Sequence, residues 1–222
     1  MSNNLAVESA AKLIVIDLDG TMTTGNSWQK LNTAMGATVA EDDYYYDLYA
    51  AHKITYQQWV DALIDIYRRR SIPTKETLSR QLLQYSYIPW ARQTVAEMKR
   101  RGYNLAIISG AIDIFVNAVA NDLGIDTVAY NTTFYFDTEE RLQRVEVKGD
   151  DAPVKLAQLQ AICQERKISL EECICIGDSP NDRLIFEATG RGITFEHCKK
   201  IHDCSWKVVK DWTTLLAALE VV

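Results

Sequence analysis

Asp17-Leu18-Asp19-Gly20-Thr21 closes the apolar run Leu13-Ile14-Val15-Ile16. A short β-branched run bounded by glycine reads as a buried strand, and the carboxyl ends of such strands are where open α/β sheets bind ligands. Two carboxylates one residue apart repel each other and lose solvation, so a positive partner is expected between them. A second acidic cluster, Gly177-Asp178-Ser179-Pro180-Asn181-Asp182, follows the apolar run Cys173-Ile174-Cys175-Ile176. Between the two lie Ile107-Ile108-Ser109-Gly110, a strand ending in a hydroxyl, and Lys155, near the start of an amphipathic helix. Each has a plainer reading: Asp-Gly and Ser-Gly turns, a surface lysine, and Asn181 capping the helix that follows it.

Right-handed crossovers would bring the strand ends at Asp19, Ser109 and Asp178 to one edge of a sheet. The product is a pocket of carboxylates, one hydroxyl, one ammonium and loop amides. Carboxylates so crowded call for a hard cation with oxygen ligands, and Mg²⁺ suits a few carboxylates shared with substrate phosphate and water.

The ordered set of Asp17/Asp19, Ser109, Lys155 and the Asp178–Asp182 loop resembles the four motifs of the haloacid dehalogenase superfamily, with spacings similar to its phosphoserine-phosphatase-like branch. The likeness runs through nearly the whole chain, including Gly102-Tyr103 before the Ser109 strand and Asp113-Ile114 after it. It implies Mg²⁺-dependent hydrolysis of a small phosphomonoester through an aspartyl-phosphate. Asp17 would be the nucleophile and Asp19 the general acid and base. Ser109, the Gly110 amide, Lys155 and Asn181 would hold phosphate or substrate. Asp17, Asp19, Asp178 and Asp182 would form the metal set. A phosphotransferase or mutase of the same superfamily, and a non-catalytic phospho-ligand-binding protein on that scaffold, are the competing readings. Dehalogenation is disfavoured, because those relatives lack the second aspartate that Asp19 supplies.

The chain departs from phosphoserine phosphatases where they grip the amino-acid part of the substrate. Asn26 stands about where their glutamate falls, and the helix from Tyr56 to Tyr67 carries no arginine before Arg68. Phosphoserine is therefore expected to be a poor substrate. Trp28, Tyr44-Tyr45-Tyr46 and Trp59 suggest a more aromatic pocket, although aromatics in a small lobe are more often its core.

The elements that must position these groups alternate. Strand signals fall at 13–18, 105–109, 127–131, 173–177, 192–195 and 207–209. Helical patterns fall at 90–101, 112–123, 153–166, 181–188 and 213–220. That alternation predicts a doubly wound, parallel α/β sheet of Rossmann-like type, with an extra hairpin at 134–136 and 143–147. Residues 22–88 break it with four helical segments, which predicts a small all-α cap inserted into a core made of 1–21 and 89–222.

Composition narrows the partners. The 222 residues are 47% hydrophobic and 24% charged, ordinary for a globular chain. A net charge of −6 disfavours nucleic acid, no apolar stretch reaches membrane-spanning length, and Met1 to Lys12 does not read as a signal peptide. Five cysteines without a disulfide-like spacing point to reduced thiols in the cytoplasm. The expected partner is a small phosphorylated metabolite, met by a monomer or homodimer. A zinc site from His197, Cys198, His202 and Cys204 is disfavoured for want of a complete ligand set.

Overall fold

A computed structural model of the protein describes residues 11–220. Residues 1–10, which carry most of the segment read for a signal peptide and the start of the expected core, lie outside the described residues. In chain order the elements are β1 (Leu13–Ile16), α1 (Ser27–Ala34), α2 (Val39–Ala50), α3 (Tyr56–Arg70), α4 (Lys75–Leu82), α5 (Ala91–Arg100), β2 (Leu105–Ile112), α6 (Asp113–Leu123), β3 (Thr127–Phe136), β4 (Leu142–Val147), α7 (Asp151–Arg166), β5 (Cys173–Ile176), α8 (Arg183–Thr189), β6 (Gly192–Phe195), β7 (Lys207–Val209) and α9 (Trp212–Glu220).

Seven strands form one sheet in the order β4-β3-β2-β1-β5-β6-β7. Every pairing is parallel except that of β3 with β4. Parallel strands are covered on both faces, so their residues are apolar without alternation. β1 shows this: Ile14 and Ile16 enter one apolar cluster, with α5, α6 and α9, while Leu13 and Val15 enter another. The second cluster includes Leu159, Cys163, Ile185, Phe186, Cys173 and Cys175. The two β5 cysteines thus share a face and serve as small buried hydrophobes.

The chain order reverses at β1, whose neighbours are β2 on one side and β5 on the other. The crevice beyond the carboxyl ends of these strands is therefore the topological switch point. Both sequence clusters end there.

Two strand expectations change. β2 does not stop at Ser109 but runs to Ile112, with a register shift against β3 between the two residues. The pairs Ser109–Tyr130 and Ile112–Thr132 place one extra residue on β2, a bulge that leaves part of the ladder unpaired. The expected separate hairpin is instead a continuation of β3, whose far half, Thr132 to Phe136, pairs with β4.

Helices α1 to α4 enter and leave the core through two connectors that run side by side. Thr23 bridges Tyr87, the Ile88 amide donates to the Met22 carbonyl, and the Thr24 amide donates to Ser86. Side-chain caps start the helices: Asn26, Thr38, Thr55 and Thr74 each accept an amide of the first turn, as such residues do at N-caps. The insertion does not keep an isolated core. Leu31, Val60, Leu63, Ile66, Tyr67 and Leu78 belong to the same apolar cluster as Ile14 and Ile16. β4 fastens it further: Gln57 on α3 donates to the Val145 carbonyl and accepts from the Val147 amide, and Arg68 donates to the Gln143 carbonyl.

Candidate active site

Asp17 follows β1 directly and is only 4% exposed. It ends an apolar strand that has no freedom to turn it away, because both faces of β1 are packed. Asp17 Oδ1 lies 3.0 Å from Lys155 Nζ, yet no donor meets that oxygen in hydrogen-bond geometry. It is a buried acceptor with a lone pair left over.

Lys155 is not a surface lysine. It projects from the second turn of α7, is 1% exposed, and donates to Asp182 Oδ1 at 2.7 Å and Asn181 Oδ1 at 3.0 Å. Burial alone would lower its pKa, but the charges of Asp17 and Asp182 outweigh it and hold the ammonium protonated.

The loop after β5 is tied from within. Asp182, wholly buried, accepts the amides of Asp178 and Ser179 with its second oxygen. Asn181 accepts the Ser179 hydroxyl as well as Lys155, so it does not cap the following helix. Asp178 accepts a 2.9 Å hydrogen bond from Thr21. Carboxylate oxygens of Asp17, Asp178 and Asp182 come within 4.8 Å of one another. Burial, then the charges of Asp17 and Asp182, raise the pKa of Asp178; burial likewise raises that of Asp182, against Lys155.

Asp19 stands apart from that group of three. Its Oδ2 accepts the Ser27 amide at 2.9 Å and the Ser27 hydroxyl, which aims the side chain toward the start of α1. Burial pushes its pKa up to about 6, opposed by the Ser27 hydrogen bonds and reinforced by Asp17.

Ser109 and Gly110 lie at the β2 bulge, and Ser109 Oγ accepts the Ala111 amide at 3.3 Å. Asp17, Asp19, Ser109, Gly110, Asp178 and Asn181 line one cavity of roughly 370 Å³. Lys155 and Asp182 stand behind it, joined through Asp17 and the loop. The candidate catalytic, phosphate-binding and metal residues named from the sequence are therefore brought to one place.

Sequence reading missed three positions. Asp151, in the first turn of α7, lines the cavity and is bonded by Asn131. Its pKa is raised by burial, against the nearby Lys155. It stands four residues before Lys155, one helical turn, which is a signal that spacing offered. Thr21 and Ser27 orient Asp178 and Asp19 from positions with no chemical signature of their own.

Gly20 is the tightest point. Its φ is +78°, and a Cβ there would stand 2.4 Å from Asp178 Oδ2. Gly20→Ala is expected to cost roughly 1–3 kcal/mol of stability from backbone strain and to push the Asp178 carboxylate off its site. Thermal unfolding with and without Mg²⁺ checks it: a variant that matches the parent in both the melting temperature and its rise with Mg²⁺ would refute the expectation.

Comparison with known proteins agrees with this geometry. The model of the haloacid dehalogenase-like hydrolase family matches residues 14–187. A phosphoserine phosphatase of Methanocaldococcus jannaschii is 26% identical over 196 residues, covering 85% of this chain and 87% of that one. One from Archaeoglobus fulgidus is 28% identical over 128 residues, 58% of this chain but only 37% of the relative. A solved phospho-aspartyl intermediate analogue of a phosphoserine phosphatase superposes with a TM-score of 0.75 at 22% identity, over 95% of this chain and 99% of that one. With the match spanning the β1 carboxylates through the loop that follows β5, the chain belongs to the haloacid dehalogenase-like hydrolase family and is phosphoserine-phosphatase-like within it.

Proposed function

We propose that the protein hydrolyses a small phosphomonoester through an aspartyl-phosphate on Asp17, with Mg²⁺ as cofactor. One observation carries the reading: a buried carboxylate with an unmet oxygen faces a strand-end cavity, backed by an ammonium and beside two further carboxylates. The donor set fits the metal. It is all oxygen, as Mg²⁺ requires, and Asp17 Oδ1 lacks a hydrogen-bonding partner. Asp17 and Asp178, which face the cavity, would hold the ion directly. Asp182, with both oxygens engaged, would fix the loop behind it. The bound ion would offset the charge of substrate phosphate among the acids.

An Asp17 oxygen forms a bond to phosphorus as the ester P–O bond breaks, and Asp19 gives its proton to the leaving oxygen. Asp19 then takes a proton from water, whose oxygen attacks phosphorus and frees Asp17 and inorganic phosphate. Ser109, the Gly110 amide and Asn181 bind phosphoryl oxygens, while Lys155 holds Asp17 in place. Helices α1 to α4, residues 22–88, act as a cap over the leaving group.

Hydrolysis of an aryl phosphate with and without Mg²⁺ tests the reading. We expect turnover that chelation abolishes and Mg²⁺ restores, with Ca²⁺ inhibiting because its larger, looser shell misplaces the attacking oxygen. Undiminished turnover after exhaustive chelation would overturn it. Phosphate transfer to a second hydroxyl instead of release would identify the phosphotransferase reading. Asp178→Asn is expected to raise the stability of the metal-free protein, since it removes one of three crowded carboxylates, and to abolish the stabilisation that Mg²⁺ confers on the parent.

Among the described residues no helix is long and apolar enough to cross a membrane, and all five cysteines are free thiols. These features support a cytoplasmic enzyme, acting as monomer or homodimer on a small metabolite.

A further inference from the structure

A second cavity, of about 330 Å³, continues the first one into the insertion, and the two share Asn26, Trp28 and Gln29 as walls. Trp28, Tyr46 and Trp59 give it aromatic sides, and Asn32, Asp42 and Asp43 give it a polar end. Tyr46 and Trp59 meet nearly edge to face, with ring centroids 5.5 Å apart.

Asp42 is held in place by neutral groups. Its Oδ1 accepts Trp59 Nε1–H at 3.0 Å and its Oδ2 accepts Asn32 Nδ2–H at 2.9 Å. Asn32, 3% exposed, is itself fixed by the buried Tyr67 hydroxyl. Among the described residues no Lys or Arg lies within ion-pair distance of Asp42 or Asp43, and none lines either cavity. Arg68, the nearest candidate by sequence, is spent on Asp65 and the Gln143 carbonyl. A preoriented carboxylate beside aromatic faces, with no basic side chain paired to it, is complementary to an organic cation. It is also hostile to a substrate carboxylate.

Resting on the phosphatase reading, we infer that the leaving group carries a primary or quaternary ammonium, which is seated against Asp42 beside Trp59 and Tyr46. The preferred substrate class is then a phosphate ester of an amino alcohol without a carboxylate.

The test is a series of esters of matched shape: 2-aminoethyl phosphate, its trimethylammonium analogue, the neutral isostere 3,3-dimethylbutyl phosphate, and phosphoserine. The better cationic ester is expected to exceed the neutral isostere in kcat/KM by about tenfold or more, the scale of one charge-assisted contact, with phosphoserine below both. Asp42→Asn should collapse the cationic-to-neutral ratio, chiefly through KM. Asp65→Asn, an exposed change on α3, should leave the ratio as it is. Tyr46→Ala, at the exposed lip, gives the same reading if Asp42→Asn does not fold. Tetramethylammonium should also quench tryptophan fluorescence saturably in the parent, and far less in the Asp42 or Tyr46 variant.

A neutral isostere equal to or better than both cationic esters overturns the inference while leaving the phosphatase reading intact. Hydrolysis of none of the esters, aryl phosphate included, overturns the phosphatase reading; the fluorescence titration then decides whether the cation site stands. Absence of saturable quenching in an inactive protein refutes both.

Discussion

Asp17→Asn yields a folded protein whose turnover is lower by about four orders of magnitude or more, the scale on which loss of a covalent nucleophile acts. The amide has the shape of the carboxylate but cannot form the acyl-phosphate. Folding survives because Lys155 keeps Asp182 at 2.7 Å, so the substitution leaves no unpaired buried cation. Far-ultraviolet circular dichroism and the melting temperature establish the fold, and steady-state assays with an aryl phosphate read the loss. Turnover within tenfold of the parent would rule out the covalent route.

Replacing Lys155 by Met is expected to have the largest effect on stability. The side chain is buried at the centre of the site, and it is the ammonium paired with both Asp17 and Asp182. Met fills the stem volume but leaves two buried carboxylates without their cation. Removing one partner of a buried ion pair costs about 3–5 kcal/mol, which for a chain of this length lowers the melting temperature by roughly 10 °C. Mg²⁺ should recover part of that loss, because a divalent ion beside Asp17 replaces some of the missing charge. Thermal scans of parent and variant with and without Mg²⁺ measure both effects. A Lys155→Met protein that melts with the parent in chelator would show that the charges are neutralised in some other way.

Much of this protein is legible in its sequence because its core positions face two ways. A strand such as Leu13–Ile16 is covered on both faces, so only apolar residues are tolerated, and the polarity change at Asp17 marks where the sheet ends. Strand ends on one edge of a parallel sheet converge, whatever the distance along the chain. Asp17, Asp19, Ser109 and Asp178 could therefore be assigned to one site from residue type and order, with Lys155 added by the family likeness.

Other features have no local signal. The continuation of β2 beyond Ser109 arises because β3 supplies a pairing partner as far as Thr132, which a Ser-Gly turn signature conceals. The fusion of the helical insertion with the core depends on α3 meeting the β4 edge, a contact between residues about 90 positions apart. Burial of Lys155 and the hold of Ser27 on Asp19 likewise exist only once the elements are packed. Residue type and order determined the fold class, the family and the strand-end acids, because those follow from burial and chain direction. Only the tertiary structure decided that Asp42 faces aromatic rings without a cation and that Arg68 turns away, because both depend on how four helices lie against one edge strand.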